Sequence, residues 1–269
     1  MKKVLIYIAL FAGALVFGYP FVWMATATFK PELEIGALSP IASEWTLDSY
    51  RFVFDTIPLG RAFLNSLVVV TAVTTSVLVF GSMAGYALAK LRWRGREFVF
   101  MTILFTLMVP FLVMLIPLYT LVVQFGWTDS LVGVIVPFMM NATAVLILRQ
   151  SFLTVPSEIL DAARVDGCGE LRILFSVVWR LSVPALVTAG IIVFVGTWNE
   201  VLWPLVVIRR EEWMTMPQMV ALFTVGGGAS ARLGAQLAAA LLLGLPVVLA
   251  YLFFQRHFIT SLASTGVKG

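Results

Sequence analysis

The sequence predicts an all-α integral membrane protein built from six transmembrane helices. Its 269 residues are 61% hydrophobic and only 12% charged, whereas ordinary soluble domains are about 45–50% apolar and about 25% charged. Six apolar stretches also approach the ~20 residues that a helix needs to cross a bilayer. Such a composition excludes a disordered chain and a typical cytosolic enzyme.

The six stretches are separated by loops that hold nearly all of the charged residues. Glu200 is the one charge that falls inside a predicted span. Helices are expected because every backbone polar group in the lipid core must be hydrogen-bonded within the protein. We therefore expect a single transmembrane domain over residues 1–269, with helices at about 4–28, 64–89, 98–122, 131–148, 182–208 and 234–254.

The first stretch also has features of a secretory signal peptide. Lys2 and Lys3 precede an apolar run, and Ala25-Thr26-Ala27 fits a cleavage site. The run is longer than the apolar region of a usual signal peptide, so we expect an uncleaved helix.

The distribution of Lys and Arg predicts the orientation. With six spans, two thirds of the 18 basic residues fall on the side that holds both termini. Because cytoplasmic loops carry the excess of basic residues, we expect both termini in the cytoplasm of a bacterial or archaeal cell. Placement beside membrane lipid also explains the net charge of +4, and no nucleic-acid partner is expected.

Motifs for catalysis, metal binding or nucleotide binding are absent from the sequence. One cysteine, Cys168, and one histidine, His257, cannot form a zinc site of the Cys/His type. No glycine is followed by lysine, which excludes a P-loop. We expect no enzyme active site, no metal and no cofactor in this chain, so energy for transport would come from another subunit or from an ion gradient.

The loop 149–181 between the fourth and fifth spans holds eight of the charges. Ser157 as N-cap and Glu158 near the positive dipole end predict a short helix, which Gly167 and Gly169 end. A second, amphipathic helix is expected to bury one face, formed by Leu171, Leu174, Phe175 and Val178. The residues alone fit either a protruding docking knob or an ordinary ordered loop.

Within this loop, the segment Asp161-Ala162-Ala163-Arg164-Val165-Asp166-Gly167 resembles the EAA motif of ABC importer permeases, E-A-A-x-x-D-G. Asp161 stands in place of Glu, Cys168 in place of a small residue such as Ala, and Arg180 at a position that is often proline. We call residues 161–167 the EAA segment.

The resemblance covers nearly the whole chain and is closest to the smaller permease of maltose-type carbohydrate importers. It is carried by Asn65-Ser66-Leu67, Tyr86-Ala87-Leu88-Ala89-Lys90, Ile116-Pro117-Leu118-Tyr119, Trp198-Asn199-Glu200 and the tail 255–269.

This resemblance implies a permease subunit whose loop docks on a separate ATPase. That subunit would bind ATP and Mg, and the other partners would be a second ATP-binding subunit, a related permease and an external solute-binding protein. The implied solute is a sugar, an oligosaccharide, a polyol or a glycerol phosphate ester. The implied coupling residues are Glu158, Asp161, Ala162, Ala163, Arg164, Asp166 and Gly167.

Glu200 is the first candidate for the translocation path, because an ionisable residue in a membrane is costly and usually functional. Asn141, Trp198 and Asn199 are further candidates. A packing role for each stays open, since polar residues often join helices in membranes. An ion-coupled secondary transporter is the alternative function, although Glu200 would be its only coupling carboxylate. A membrane-bound enzyme lacks a catalytic constellation.

Overall fold

The computed structural model describes residues 2–36, 41–229 and 232–266, with side chains for residues 3–36, 41–229 and 232–253. The end of the tail 255–269, from residue 267 onward, lies outside these residues. The described chain is helical, with no strand. Its helices are α1 Lys2–Ala27, α2 Asp48–Thr56, α3 Leu59–Lys90, α4 Arg96–Thr106, α5 Phe111–Gln124, α6 Leu131–Ile135, α7 Ala142–Leu153, α8 Ser157–Val165, α9 Glu170–Ile173, α10 Trp179–Leu181, α11 Val183–Trp198, α12 Leu202–Val207, α13 Met216–Val225 and α14 Leu233–Gly266.

Three helices of the described chain are long and apolar enough to span a membrane alone, namely α1, α3 and α14. Three further candidate spans are bent pairs of helices, which brings the number to six if each pair crosses once. Five of the six candidate spans coincide with apolar stretches predicted from the sequence. The remaining one pairs Glu170–Leu181 with Val183–Trp198 across a bend of 91°, so it begins and ends earlier than the predicted span 182–208. Most side chains of α1 are exposed, as expected for a helix that faces lipid.

The predicted third span, 98–122, is wrong as one continuous helix. α4 and α5 meet at a bend of 103°. Pro110 immediately precedes α5, with φ −62° and ψ 136°. Because proline has no N–H to donate, the helical ladder of α4 does not continue through it.

The predicted spans 131–148 and 182–208 are also interrupted. The first consists of α6, a 3₁₀ turn at Val136–Phe138 and α7, with a bend of 40°. In the second, α11 ends at Trp198 and α12 begins at Leu202. Glu200 therefore lies in a break between two helices and not within a helix, which corrects its predicted setting.

The core forms where α3 packs on α7 and α11. Gly81 and Gly85 of α3 both face α7, and a Cβ on Gly85 would lie 3.1 Å from the backbone nitrogen of Arg149. This arrangement agrees with the close helix packing that G-x-x-x-G spacing indicates. A second cluster joins α2, α3, α13 and α14 around the buried ring of Trp198.

Candidate functional site

α8 carries the first five residues of the EAA segment and is separated from its neighbours by a proline and a glycine. Pro156, with ψ 134°, is extended and precedes the first helical residue, Ser157. Ser157 is thus not the N-cap, because proline already occupies that position. At the other end Gly167 has φ +80°, a left-handed conformation that glycine adopts without cost. Its N–H donates to the carbonyl of Arg164 at 3.0 Å.

One side of α8 is anchored and the other is exposed. Leu160 is fully buried in the core, whereas Asp161, Ala162 and the residues that end the helix are exposed. Val165 is 88% exposed. The sequence analysis missed Val165, although its position opposite Leu160 on the helix signals an apolar residue on the outer face.

A network of charged hydrogen bonds braces this exposed helix. Arg164 Nε donates to Oε1 of Glu170 at 2.8 Å, and its Nη1 donates to Oδ1 of Asp161 at 2.7 Å. These two carboxylates, Glu170 foremost, raise the pKa of the Arg164 guanidinium above its ordinary value. The hydroxyl of Tyr86 in α3 donates to Oε2 of Glu170. The network therefore joins α8, α9 and α3.

The end of α3 also holds the chain just before α8. Lys90 Nζ donates to the carbonyl of Val155 at 2.6 Å and to that of Leu153 at 3.3 Å. Tyr86 and Lys90 are one helical turn apart. The same turn of α3 therefore holds the chain on both sides of the EAA segment.

The segment after α8 is helical from Glu170 to Leu181, but its buried face differs from the predicted one. Leu174 and Val178 are buried as expected, together with Ile173. Leu171 and Phe175 are exposed. A π-helical turn lies at Leu174–Val178. Its wider turn rotates the side chains that follow it round the helix relative to Leu171.

A cavity of about 230 Å³ lies where two helix breaks meet α3 and α13. Asn141 and Glu200 both line it. Asn141 caps α7 by accepting a hydrogen bond from the N–H of Ala144 at 3.0 Å. Glu200 Oε1 accepts from the N–H of Trp203, also at 3.0 Å. The structure thus brings together two of the four residues proposed from the sequence for a path.

Trp198 and Asn199 do not line this cavity. The ring of Trp198 is buried between Phe63 and Phe194, and its indole N–H donates to the carbonyl of Leu243 at 3.0 Å. Asn199 is exposed and its amide donates to the carbonyl of Val195 at 2.9 Å. These contacts pack and terminate α11.

Further cavity residues escaped the sequence analysis. Trp203 is fully buried, and its indole N–H donates to the carbonyl of Gly133 at 3.0 Å. Ser66 accepts from the N–H of Met216 at 2.7 Å. Thr215 is 4% exposed and its hydroxyl has no partner among the described residues. No local signal marks these residues as neighbours in a cavity, because they meet only through the packing of distant helices.

Comparison with known proteins identifies the class. Residues 77–263 match the family described as "Binding-protein-dependent transport system inner membrane component". The chain is 34% identical over 256 residues to the arabinooligosaccharides transport system permease protein AraQ of Halalkalibacterium halodurans, covering 93% of this chain and 91% of that protein. It is 32% identical over 211 residues to the sn-glycerol-3-phosphate transport system permease protein UgpE of Pectobacterium atrosepticum, covering 78% and 75%.

The fold is shared with a crystal structure of a bacterial ABC transporter involved in the import of the acidic polysaccharide alginate. The TM-score is 0.82, with 23% identity and 96% of each chain covered. The family match over residues 77–263 and the relatives at 34% and 32% identity show that the chain belongs to the binding-protein-dependent family of inner-membrane transport components.

It is a multi-pass inner-membrane permease of an ABC importer, and a separate subunit hydrolyses the ATP. This membership confirms the predicted resemblance and excludes the ion-coupled alternative.

In the described part of the chain, no group of three or more His, Cys, Asp or Glu residues is placed to hold a metal ion.

Proposed function

We propose that the chain forms half of the translocation path of an ATP-driven importer for a carbohydrate or related polyol. The relatives named above support this class, since one is a permease for arabinooligosaccharides and one for sn-glycerol-3-phosphate. The complete importer would contain a second related permease, two ATP-binding subunits that hold ATP and Mg, and an external solute-binding protein. Residues 1–269 would act as one transmembrane domain.

The exposed and braced helix α8 carries this proposal. A docking element must present a surface to its partner and must also transmit force without bending. α8 satisfies both requirements, because Val165 is exposed while Arg164 and Glu170 fix the helix to α3 through Tyr86. We assign docking on the ATPase to Glu158, Asp161, Ala162, Ala163, Arg164, Asp166 and Gly167, and add Val165.

The cavity between the helix breaks is the proposed solute path. Asn141 and Glu200 offer it an amide and a carboxylate, which are groups that hydrogen-bond sugar hydroxyls. We assign Trp198 and Asn199 to a supporting role, because their hydrogen bonds hold the end of α11 beside Glu200. Breaks in helices at membrane depth are tolerated where they line such a cavity.

The proposed orientation places both termini and α8 in the cytoplasm. Single cysteines at Glu211 and Arg94, both exposed, test it in a Cys168→Ser background. In intact cells an impermeant thiol reagent should label the Glu211→Cys variant. The Arg94→Cys variant should react only after the cytoplasmic face is opened, and its labelling from outside would contradict the orientation.

Docking is tested by co-purification of the ATPase with the permease. Asp161→Lys places a second cation beside Arg164 at the exposed surface and should reduce recovery of the ATPase at least severalfold. Asp55→Lys makes the same charge change on the exposed surface of α2 and should have no effect. Equal recovery of the ATPase from both variants would contradict docking at α8.

A further inference from the structure

The cavity carries a negative charge that no positive charge offsets. Among the described residues that line it, Glu200 is the one with a charged side chain, and neither lysine nor arginine is present. The remaining lining is apolar or neutral and polar. The neutral polar residues are Ser66, Asn141, Thr197 and Thr215.

The carboxylate of Glu200 is held in place. Its Oε1 lies 3.0 Å from the backbone nitrogen of Trp203. Trp203 is itself fully buried and hydrogen-bonded to Gly133 of α6 at 3.0 Å. The other oxygen, Oε2, makes no hydrogen bond to any residue that the structure describes. A hydroxyl in the cavity can therefore donate to Oε2 without displacing a protein partner.

A neighbouring polar group also suits hydroxyls. Asn141 uses its oxygen to cap α7, which leaves its amide NH₂ group as a donor.

We infer that Glu200 is a specificity-determining residue that makes the cavity favour uncharged polyhydroxylated solutes over anionic ones. This inference rests on the proposed function, since the solute must pass the cavity. Two like unit charges about 6 Å apart repel each other. At an effective dielectric constant of about 20, this repulsion lowers the affinity of the cavity for an anionic solute roughly a hundredfold. The transported solute is accordingly a neutral sugar or oligosaccharide, and not a phosphate ester or a uronate.

A neutral and an anionic thiol reagent together measure this selectivity, and the experiment does not require the solute to be known. The probe site is Thr197→Cys, which lies in the cavity wall, in a Cys168→Ser background. The complete transport complex reacts with a neutral hydroxyethyl methanethiosulfonate and with its anionic sulfonatoethyl analogue. Rates are measured at rest and during ATP turnover, and labelling is read on this chain by mass.

The ratio of the anionic to the neutral rate should rise at least tenfold when Glu200→Gln is added. This variant keeps the shape and the hydrogen bond to Trp203 but removes the charge. Glu211→Gln removes the same charge from the exposed surface of the chain and should leave the ratio unchanged.

The inference would be overturned if the ratio of the two rates were the same with Glu200 and with Gln at that position. It would also be overturned if Glu211→Gln raised the ratio as much as Glu200→Gln does. Failure of both reagents to react in either state would also overturn it, because the cavity would not be open to solutes. This result is independent of the proposed function. The proposed function fails if uptake does not depend on ATP, even if Glu200 does determine the reagent selectivity.

Discussion

Arg164 and Glu170 face each other across the turn between α8 and α9, joined by two hydrogen bonds of 2.8 and 3.3 Å. The planar guanidinium meets both carboxylate oxygens, a geometry that fixes direction as well as distance. Because Tyr86 donates to the same carboxylate, this pair links the exposed helix α8 to the long helix α3. We expect a motion imposed on α8 to reach a membrane span through this link.

Glu170→Gln should loosen this link. The change keeps the shape but removes the charge, and the side chains of Arg164 and Glu170 are 35% and 41% exposed, so we expect a loss of only about 1 kcal/mol in the stability of the turn. Solute transported per ATP should fall while the assembled complex remains. Tyr86→Phe should give a smaller effect of the same kind. Unchanged coupling in both variants, measured as uptake against ATP hydrolysis, would contradict a force path through Glu170.

Gly167 should tolerate substitution only by residues that accept a left-handed backbone. Apart from the chain neighbours of Gly167, the described residues have no atom within 4 Å of a Cβ placed there, so the cost comes from the φ of +80°. Gly167→Val should destabilise the turn by about 1–2 kcal/mol and weaken ATPase recovery, whereas Gly167→Asn should retain most of it. Equal recovery from the Val and Asn variants would show that the left-handed turn does not matter for docking.

Gly85 and Gly81 should respond in opposite directions to alanine. At Gly85 the new Cβ lies 3.1 Å from the backbone nitrogen of Arg149, whereas at Gly81 its nearest neighbour is a Leu148 side-chain carbon at 3.6 Å. Gly85→Ala should therefore cost about 1–2 kcal/mol through overpacking, while Gly81→Ala should be neutral or stabilise α3 by up to about 1 kcal/mol. Thermal unfolding of the purified permease separates the two, and equal midpoints would contradict the packing of α3 on α7.

Asp129 should make stability depend on pH. Its Oδ1 accepts from the N–H groups of Arg209 at 2.6 Å and Arg210 at 2.9 Å, and these bonds lower the pKa of its carboxyl below 3.8. A lowered pKa stabilises the fold above the unfolded-state pKa, and the gain is lost as pH falls through the folded-state pKa.

Asp129→Asn is the matched variant, because Asn also tolerates the φ of 52° at this position. Wild type should unfold at a higher temperature than the variant at neutral pH, and the gap should shrink below about pH 4. A difference in unfolding temperature that grows on acidification would contradict this prediction.

The sequence predicted the features that depend on composition and local turn chemistry. The lengths of the apolar runs located five of the six candidate spans, and Gly167 was correctly predicted to follow the end of α8. The breaks in the helices were harder to predict from the sequence. The break around Glu200 lies within a long apolar stretch, and the hydropathy of that stretch does not indicate a break. Likewise, Trp198 and Trp203 look alike in the sequence, and only the packing of α6 and α14 decides which of them lies at the cavity.

The most direct test of the whole account is solute uptake into proteoliposomes that contain the complete purified complex and its binding protein. Internal ATP and the pH gradient are varied separately, with a neutral oligosaccharide as the transported solute. Uptake should require internal ATP and should not depend on the pH gradient. Uptake that follows the gradient and does not depend on ATP would contradict the assignment of the chain to an ATP-driven importer.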